Sequence, residues 1–371
     1  MKVILCDNAL ASLLNFRYDV IRYFINKGWN VVLAAPRILQ NKHMEKSIPE
    51  GCKVYELDME PSGVNPINDM KCFMQLCNIY KKEKPDIVIH YTIKPNIYGT
   101  LAARLNGRKT VAMVAGLGYV FAGEGLLKRF SRALYKFMLR ISHRVIVLNE
   151  TNKKILLEKK FVKPERLLLF AGGEGVNMEK YPYIESKFDE ITFLMIARVL
   201  YDKGYCEYVE AAKIVKAKFP NVRIALLGPL DEKSPMGVPL KILEKDIADG
   251  SIEYLGITND VQEILKQTGI VSVLPSYHEG MSRSLLEACA MGKPIIASDI
   301  PGCKEIVDDN VTGYLVPAKN SNALEDAMIK FMEISKEEKI NMSKASYNKA
   351  IKEFDVKFVL RKYEQIINEL L

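Results

Sequence analysis

Glu279 and Glu287 stand with seven residues between them in the stretch VSVLPSYHEGMSRSLLEACAMGKPIIASDIPGCKEIV, residues 271–307. Apolar runs at either end of this stretch read as buried strands. The segment between them reads as a glycine-containing loop that passes into a short helix started by Ser282 or Ser284. Glu279 then marks the helix mouth, beside Gly280, and Glu287 lies about two turns further along the helix flank. A glycine at a helix N-terminus lets a ligand approach backbone N–H groups, and the helix dipole favours an anion there. A carboxylate placed beside an anion site is costly unless it accepts hydrogen bonds, and hydroxyl groups are the natural donors. The spacing therefore fits a diphosphate flanked by two polyols.

Arg198 and Lys203, with four residues between them, follow the apolar run ITFLMIA (191–197) in a loop that contains Gly204. Taken alone they read equally well as solvated loop charges. Beside the carboxylate pair they become cations that reach the same phosphates. A departing diphosphate gains negative charge as its bond breaks, so fixed cations stabilise the transition state more than the ground state. They can stand where a metal ion would otherwise neutralise the phosphates, and no Asp-x-Asp sequence occurs in a plausible loop.

The elements that must position these groups alternate along the chain. MKVILC, VVLAAP, KVYEL, DIVIHY, TVAMVA, RVIVLN and LLLFA read as short buried strands in the first half, with helical patterns between most of them. One such helix is expected over FRYDVIRYFINKG (16–28). The pattern restarts after a polar stretch near 182–190, with ITFLMIA, VRIALLG, IEYLG, IVSVLP, PIIASD and YLVP. The expectation is an α/β protein of two Rossmann-like, doubly wound parallel sheets: residues 1–180, then 181–355. The pattern FDVKFVLRKYEQIINELL (354–371) predicts a final amphipathic helix.

Bulk composition excludes several classes. At 371 residues, 49% hydrophobic and 26% charged, the chain reads as globular, and no apolar run reaches the length of a membrane span. Seven scattered cysteines form no C-x-x-C pair, and four histidines lack metal-ligand spacing, so free thiols and no metal centre are expected. The net charge of +8 is uneven: residues 1–180 hold 29 Lys and Arg against 16 Asp and Glu, while the rest hold 24 against 29. Only the first half is thus fitted to an anionic surface, either nucleic acid or a membrane.

The pattern P-S-Y-x-E-G-x-x-x-x-L-L-E-A-x-A-x-G-x-P-I-I-A-S-D resembles the E-x7-E signature of the family 4 retaining glycosyltransferases, which have the GT-B fold. The resemblance extends over nearly the whole chain: IARVLYDKG (196–204) is similar to the phosphate-binding element, GGEGVNMEKY (172–181) to the loop closing the first domain, and VTGYLVP (311–317) to the last strand. HYTIKPNIYG (90–99) and AGLGYVF (115–121) resemble a narrower group that builds bacterial surface polysaccharides and glycan precursors on a polyprenyl diphosphate carrier.

The resemblance implies two domains facing across a cleft, with the final helix, about 356–371, crossing back to the first. It implies a UDP-sugar donor, a polyprenyl-diphosphate-linked saccharide acceptor, and transfer of a hexose or N-acetylhexosamine without a cofactor or metal. Glu287 would accept the ribose hydroxyls and Glu279 a hydroxyl of the transferred sugar. Gly280, Met281 and Ser282 would offer backbone N–H groups, and Gly256 and Ile257 would lie near the base. Asn15, Arg17, His90, Lys94 and Asn96 are the candidate acceptor contacts, although His90 reads equally well as a satisfied strand-end histidine. DNALASLLNFR (7–17) lacks the usual glycines, and Ala115-Gly116-Leu117-Gly118 stands where many relatives carry a histidine, so no general base is evident there. A nucleotide-sugar 2-epimerase and a non-catalytic anionic-ligand-binding protein remain the alternatives.

GLLKRFSRALYKFMLRISHR (125–144) has apolar residues at helical spacing: Leu126, Leu127, Phe130, Leu134, Phe137, Met138 and Ile141. Lys128, Arg129, Arg132, Lys136 and Arg140 occupy much of the rest, with no acid between them. Such a helix suits an anionic membrane interface; it also suits a core-facing helix with a solvated basic back. The membrane reading, with no nucleic acid, places the protein in the cytoplasm on the inner face of the cytoplasmic membrane.

Overall fold

The computed structural model describes residues 1–36, 48–60, 65–117 and 125–371, with only the backbone of 126–128. The described chain forms two compact units: Met1–Glu174 with Val356–Leu371, and Gly175–Asp355. The first boundary therefore falls a little before the position near 180 expected from the sequence.

The first unit is built on seven parallel strands: β1 (Lys2–Cys6), β2 (Asn30–Ala35), β3 (Lys53–Glu56), β4 (Ile87–Tyr91), β5 (Lys109–Val114), β6 (Arg144–Val147) and β7 (Leu167–Leu169). Their order is β3-β2-β1-β4-β5-β6-β7. Val3 pairs with Val31 on one side and Ile87 on the other, so the order reverses between β1 and β4. Both faces of β1, β2, β4, β5 and β6 are covered, which is why they read as continuous apolar runs rather than alternating ones, while the edge strand β3 is partly exposed. Val3, Ile4, Leu5, Ile87, Val88 and Ile89 are buried.

The second unit has six parallel strands: β8 (Thr192–Ile196), β9 (Arg223–Leu227), β10 (Glu253–Tyr254), β11 (Ile270–Leu274), β12 (Ile295–Ser298) and β13 (Gly313–Val316), in the order β10-β9-β8-β11-β12-β13. Ser272 pairs with Leu194 and with Ile295, which puts the reversal between β8 and β11. In a doubly wound sheet the crevice outside the carboxyl ends at such a reversal is where ligands bind.

The Val356–Leu370 helix belongs to the first unit. Its Tyr363 ring meets Phe170 edge-on at 5.3 Å, and the Tyr363 and Tyr91 hydroxyls lie 3.2 Å apart. The helix expected over 16–28 is Tyr18–Asn26, and a separate short helix, Leu10–Phe16, precedes it. Between them Arg17 turns inward, its guanidinium 4.5 Å from the Tyr91 ring centroid and 2.9 Å from Glu174. All seven cysteines are unpaired, and no helix among the described residues is long and apolar enough to cross a membrane.

Candidate active site

The second unit assembles its charged groups from the loops after β8 and β11. Arg198 lies just past β8, and Lys203 ends a tight turn, Tyr201–Lys203. Gly204 then takes a left-handed φ of 82°, and a Cβ there would sit 2.2 Å from the carbonyl oxygen of Pro275. Only glycine lets the two loops approach this closely. Lys203 Nζ donates to Glu279 Oε1 at 2.6 Å, and both side chains are largely buried. Arg198 is more exposed and pairs with Asp231 at 3.1 Å.

Glu279 is held from below by the 301–303 turn. A Cβ on Gly302, whose φ is +89°, would lie 2.8 Å from the Glu279 backbone and Cβ. The adjacent Cys303 thiol is fully buried; burial first, then the Glu279 carboxylate, raise it well above its ordinary range. That thiol is therefore inert packing.

Ser282, rather than Ser284, caps the Arg283–Ala290 helix, its side chain accepting from Leu285 N–H. Its own backbone N–H donates to Gly302 O at 2.9 Å. That bond corrects the expectation that Ser282 offers its N–H to a ligand. Gly280 and Met281 lie just before it, half-buried. Gly256 accepts from Gly228 N–H through its carbonyl, while Ile257 is 70% exposed on the same loop.

Glu287 is buried on the flank of this helix, as the sequence requires, and its hydrogen bonds explain how the burial is tolerated. Oε1 accepts from Tyr181 Oη at 2.8 Å and from Arg283 Nε at 2.8 Å. Burial and then the adjacent carboxylate push the Tyr181 phenol far up, so it stays protonated and donates. Arg283 Nη1 also donates to Gly175 O at 2.7 Å. Neither residue was singled out from the sequence. Tyr181 lies in the 172–181 loop, far from Glu287 in the chain, and Arg283 lay unremarked between the two glutamates. An arginine four residues before a buried helix carboxylate was the available signal.

The first unit treats the expected acceptor residues differently. His90 is wholly buried, with Tyr80 Oη and Thr110 Oγ1 each 3.0 Å from a ring nitrogen. Burial pushes it down to about 3, and its ring fills the space that Gly99 leaves, where a Cβ would collide at 2.3 Å. It is a core histidine and not an acceptor ligand. Asn96 is also buried, its amide donating to Met113 O and Tyr135 Oη. Lys94 is bound to Asp69 at 2.8 Å, which also accepts from Tyr98 Oη. Arg17 is enclosed as described; burial would lower its basicity, but Glu174 and Asp7 more than offset this. His90 and Asn96 thus have structural roles in the core, while Lys94 and Arg17 are held by carboxylates within the unit, as Lys203 is by Glu279. Asn15 alone of the five is exposed.

The basic helix, Leu126–Ile141, divides its apolar residues between two faces. Tyr135, Met138 and Leu139 are buried in the core with Leu134 and Ile141 packed against them. Phe130 and Phe137 point outward, 67% and 55% exposed. Lys136 Nζ donates to Lys159 O and Arg140 to Lys160 O, so both cap the end of the Glu150–Glu158 helix. Arg129 is exposed and Arg132 half-buried; the Lys128 side chain and Gly118–Phe121 lie outside the described residues. The single apolar stripe expected from the sequence is thus corrected to a core face and a separate outward pair.

Comparison with known proteins agrees with this architecture. Residues 177–349 match the family model described as glycosyl transferases group 1, and residues 2–149 match glycosyl transferase 4-like. N,N'-diacetylbacillosaminyl-diphospho-undecaprenol alpha-1,3-N-acetylgalactosaminyltransferase of Campylobacter jejuni is 28% identical over 100% of this chain and 99% of its own length. The Escherichia coli UDP-Gal:alpha-D-GlcNAc-diphosphoundecaprenol alpha-1,3-galactosyltransferase is 27% identical over 79% of this chain and 78% of its own. Among solved structures, a glycosyltransferase from Rickettsia africae superposes with a TM-score of 0.79 at 20% identity, covering 100% of this chain and 98% of its own. Anabaena HepE in complex with UDP superposes with a TM-score of 0.79 at 15% identity, covering both chains fully. The two family models between them take in both units, and the chain belongs to the family 4 glycosyltransferases of GT-B fold.

Proposed function

We propose that the protein moves a hexose or N-acetylhexosamine, with retention of configuration, from a UDP-sugar to a polyprenyl-diphosphate-linked saccharide. The observation that carries this reading is the Lys203–Glu279 pair at the strand-order reversal of the second unit, on the same loop-and-helix segment as Glu287. Two relatives support the acceptor class, since both names specify a saccharide on diphospho-undecaprenol, and the Escherichia coli name specifies UDP-Gal.

In this reading the Lys203 ammonium and Arg198 guanidinium receive the diphosphate, Glu279 accepts a hydroxyl of the sugar, and Glu287 accepts the ribose hydroxyls. The C1–O bond to the diphosphate breaks as the acceptor oxygen approaches C1 from the same face. Positive charge builds on the ring, negative charge on the leaving oxygen, and the two cations meet the latter. The acceptor proton passes to a phosphate oxygen, and the products are the extended saccharide and UDP. The fixed cations make a metal ion dispensable.

In this reading the protein works on an anionic membrane surface at the cytoplasmic face. Phe130 and Phe137, seven residues apart on one helix face, supply apolar anchors, and Arg129 supplies charge.

Incubation with a panel of UDP-sugars and polyprenyl-linked acceptor, with and without EDTA, tests the reading. UDP release that requires acceptor, an α-linked product from an α-linked donor, and indifference to EDTA are expected. A second UDP-sugar formed without acceptor and without net UDP release points to an epimerase, inversion removes the retaining mechanism, and EDTA sensitivity removes the metal-free one.

A further inference from the structure

A buried carboxylate has about four lone-pair sites over its two oxygens. At Glu287 both protein donors converge on one of them: Tyr181 Oη and Arg283 Nε each lie 2.8 Å from Oε1. Among the described residues no donor reaches Oε2. Two sites are thus filled and two remain, all on a single oxygen. The donors are themselves fixed. Arg283 is tethered through its second nitrogen to Gly175 O at 2.7 Å. Tyr181 N–H donates to Asn177 O, and the Asn177 side chain accepts from the backbone of Glu179 and Lys180, so the loop carrying the phenol is internally braced.

We infer that Tyr181 and Arg283 are positioning residues that orient Glu287 so that Oε2 alone faces a vicinal diol, making the protein discriminate a ribonucleotide from a 2′-deoxyribonucleotide. This rests on the reading of Glu287 as the ribose contact. Two free sites on one oxygen match two neighbouring hydroxyls. A carboxylate accepts hydrogen bonds through its oxygens and does not donate. A diol supplies both donors; a deoxyribose supplies one and leaves the second site dry, with the desolvation penalty that follows. A carboxylate free to rotate would use either oxygen and lose much of this selectivity.

Calorimetric binding of UDP and of 2′-deoxy-UDP to the full chain tests the inference with Tyr181→Phe and Arg283→Lys. Phenylalanine keeps the ring and removes one donor; lysine keeps the charge and loses the fork that reaches both Glu287 and Gly175. The parent is expected to prefer UDP. Both variants should weaken UDP by roughly three- to tenfold, the scale of one hydrogen bond, while 2′-deoxy-UDP changes less, so that the preference shrinks. In turnover, KM for the donor should rise with kcat within about twofold, because Glu287 acts on the nucleotide in both ground and transition states. Equal weakening of both nucleotides, or an unchanged preference in both variants, overturns the positioning role while leaving the Glu287 reading intact. Absence of any preference in the parent overturns the Glu287 reading, and the inference with it.

Discussion

The ammonium of Lys203 stands 2.6 Å from Oε1 of Glu279, a close ion pair between the groups expected to hold the phosphate and the sugar of one donor. An entering diphosphate competes with the carboxylate for the same ammonium, so the two ends of the donor are linked through one contact. Glu279→Gln should abolish most transfer while UDP binding, measured by calorimetry, stays near parent level. Lys203→Ala should weaken UDP binding and raise the transfer barrier by about 2–4 kcal/mol. Because the residues touch, the double variant should cost clearly less than the sum of the singles. Collapse of UDP binding in Glu279→Gln, or strict additivity, would show that the pair does not share the donor.

Gly302 supports Glu279 from the neighbouring turn. Alanine there meets backbone at 2.8 Å and must hold a φ of +89°. Backbone cannot give way as a flexible side chain can, so Gly302→Ala should cost about 1–3 kcal/mol in stability. It should also slow transfer by at least about tenfold through displacement of Glu279. A thermal melt and a turnover assay on one preparation separate the two effects. Parent-level activity would mean that Glu279 does not depend on this turn.

His90 makes the first unit acid-sensitive. Its ordinary pKa of 6.5 is pushed down to about 3 by burial, so the unfolded chain takes up the proton first. The associated stability is fully present above about 6.5 and is lost as pH falls towards 3; roughly 2 kcal/mol should be gone by about pH 5. His143, pushed down to about 4 by burial and neighbouring cations, adds in the same direction. Trp29 is the sole tryptophan and packs on Phe24 within the first unit, so its fluorescence reports that unit during urea unfolding. His90→Gln should flatten the difference between about pH 7 and pH 5. An equally steep loss in the variant would assign the acid sensitivity elsewhere.

Vesicle binding should depend on the outward phenylalanines more than on the capping cations. Phe130→Ser with Phe137→Ser should remove most binding to anionic vesicles without lowering the melting temperature, since both rings are exposed. Arg129→Gln should weaken binding modestly and reduce its sensitivity to salt. Lys136→Gln and Arg140→Gln should instead lower stability, because each takes a donor from a helix-end carbonyl. Unchanged sedimentation of the double serine variant with vesicles would leave the helix as a solvated face over the core.

The strands were legible because parallel strands buried on both faces are written as unbroken apolar runs, and each expected run from MKVIL to YLVP contains a strand. The E-x7-E segment was legible because loop and helix are local, so Glu279, Gly280 and a serine cap at 282 or 284 could be read in order, and the structure puts the cap at Ser282. What failed was pairing at a distance. Nothing near Arg17 announces Glu174, nothing near Lys94 announces Asp69, and both cations looked free for a diphosphate. His90 failed for the same reason, since its partners Tyr80 and Thr110 come from other elements. The basic helix failed differently: helical spacing counted Phe130, Phe137 and Met138 as one stripe, whereas Met138 is buried and both phenylalanine rings are exposed.

The last helix gives the chain an order of assembly. Residues 1–174 emerge first during synthesis, yet their core is incomplete without Tyr363, which meets Phe170 and Tyr91 from the Val356–Leu370 helix. The second unit, continuous from Gly175 to Asp355, can close as soon as its last strand and helices are made. Domains usually fold from the N-terminus as they are synthesised. Here the unit translated first is completed last, and until then the apolar wall of Phe24 and Phe170 stands open to water and to chaperones.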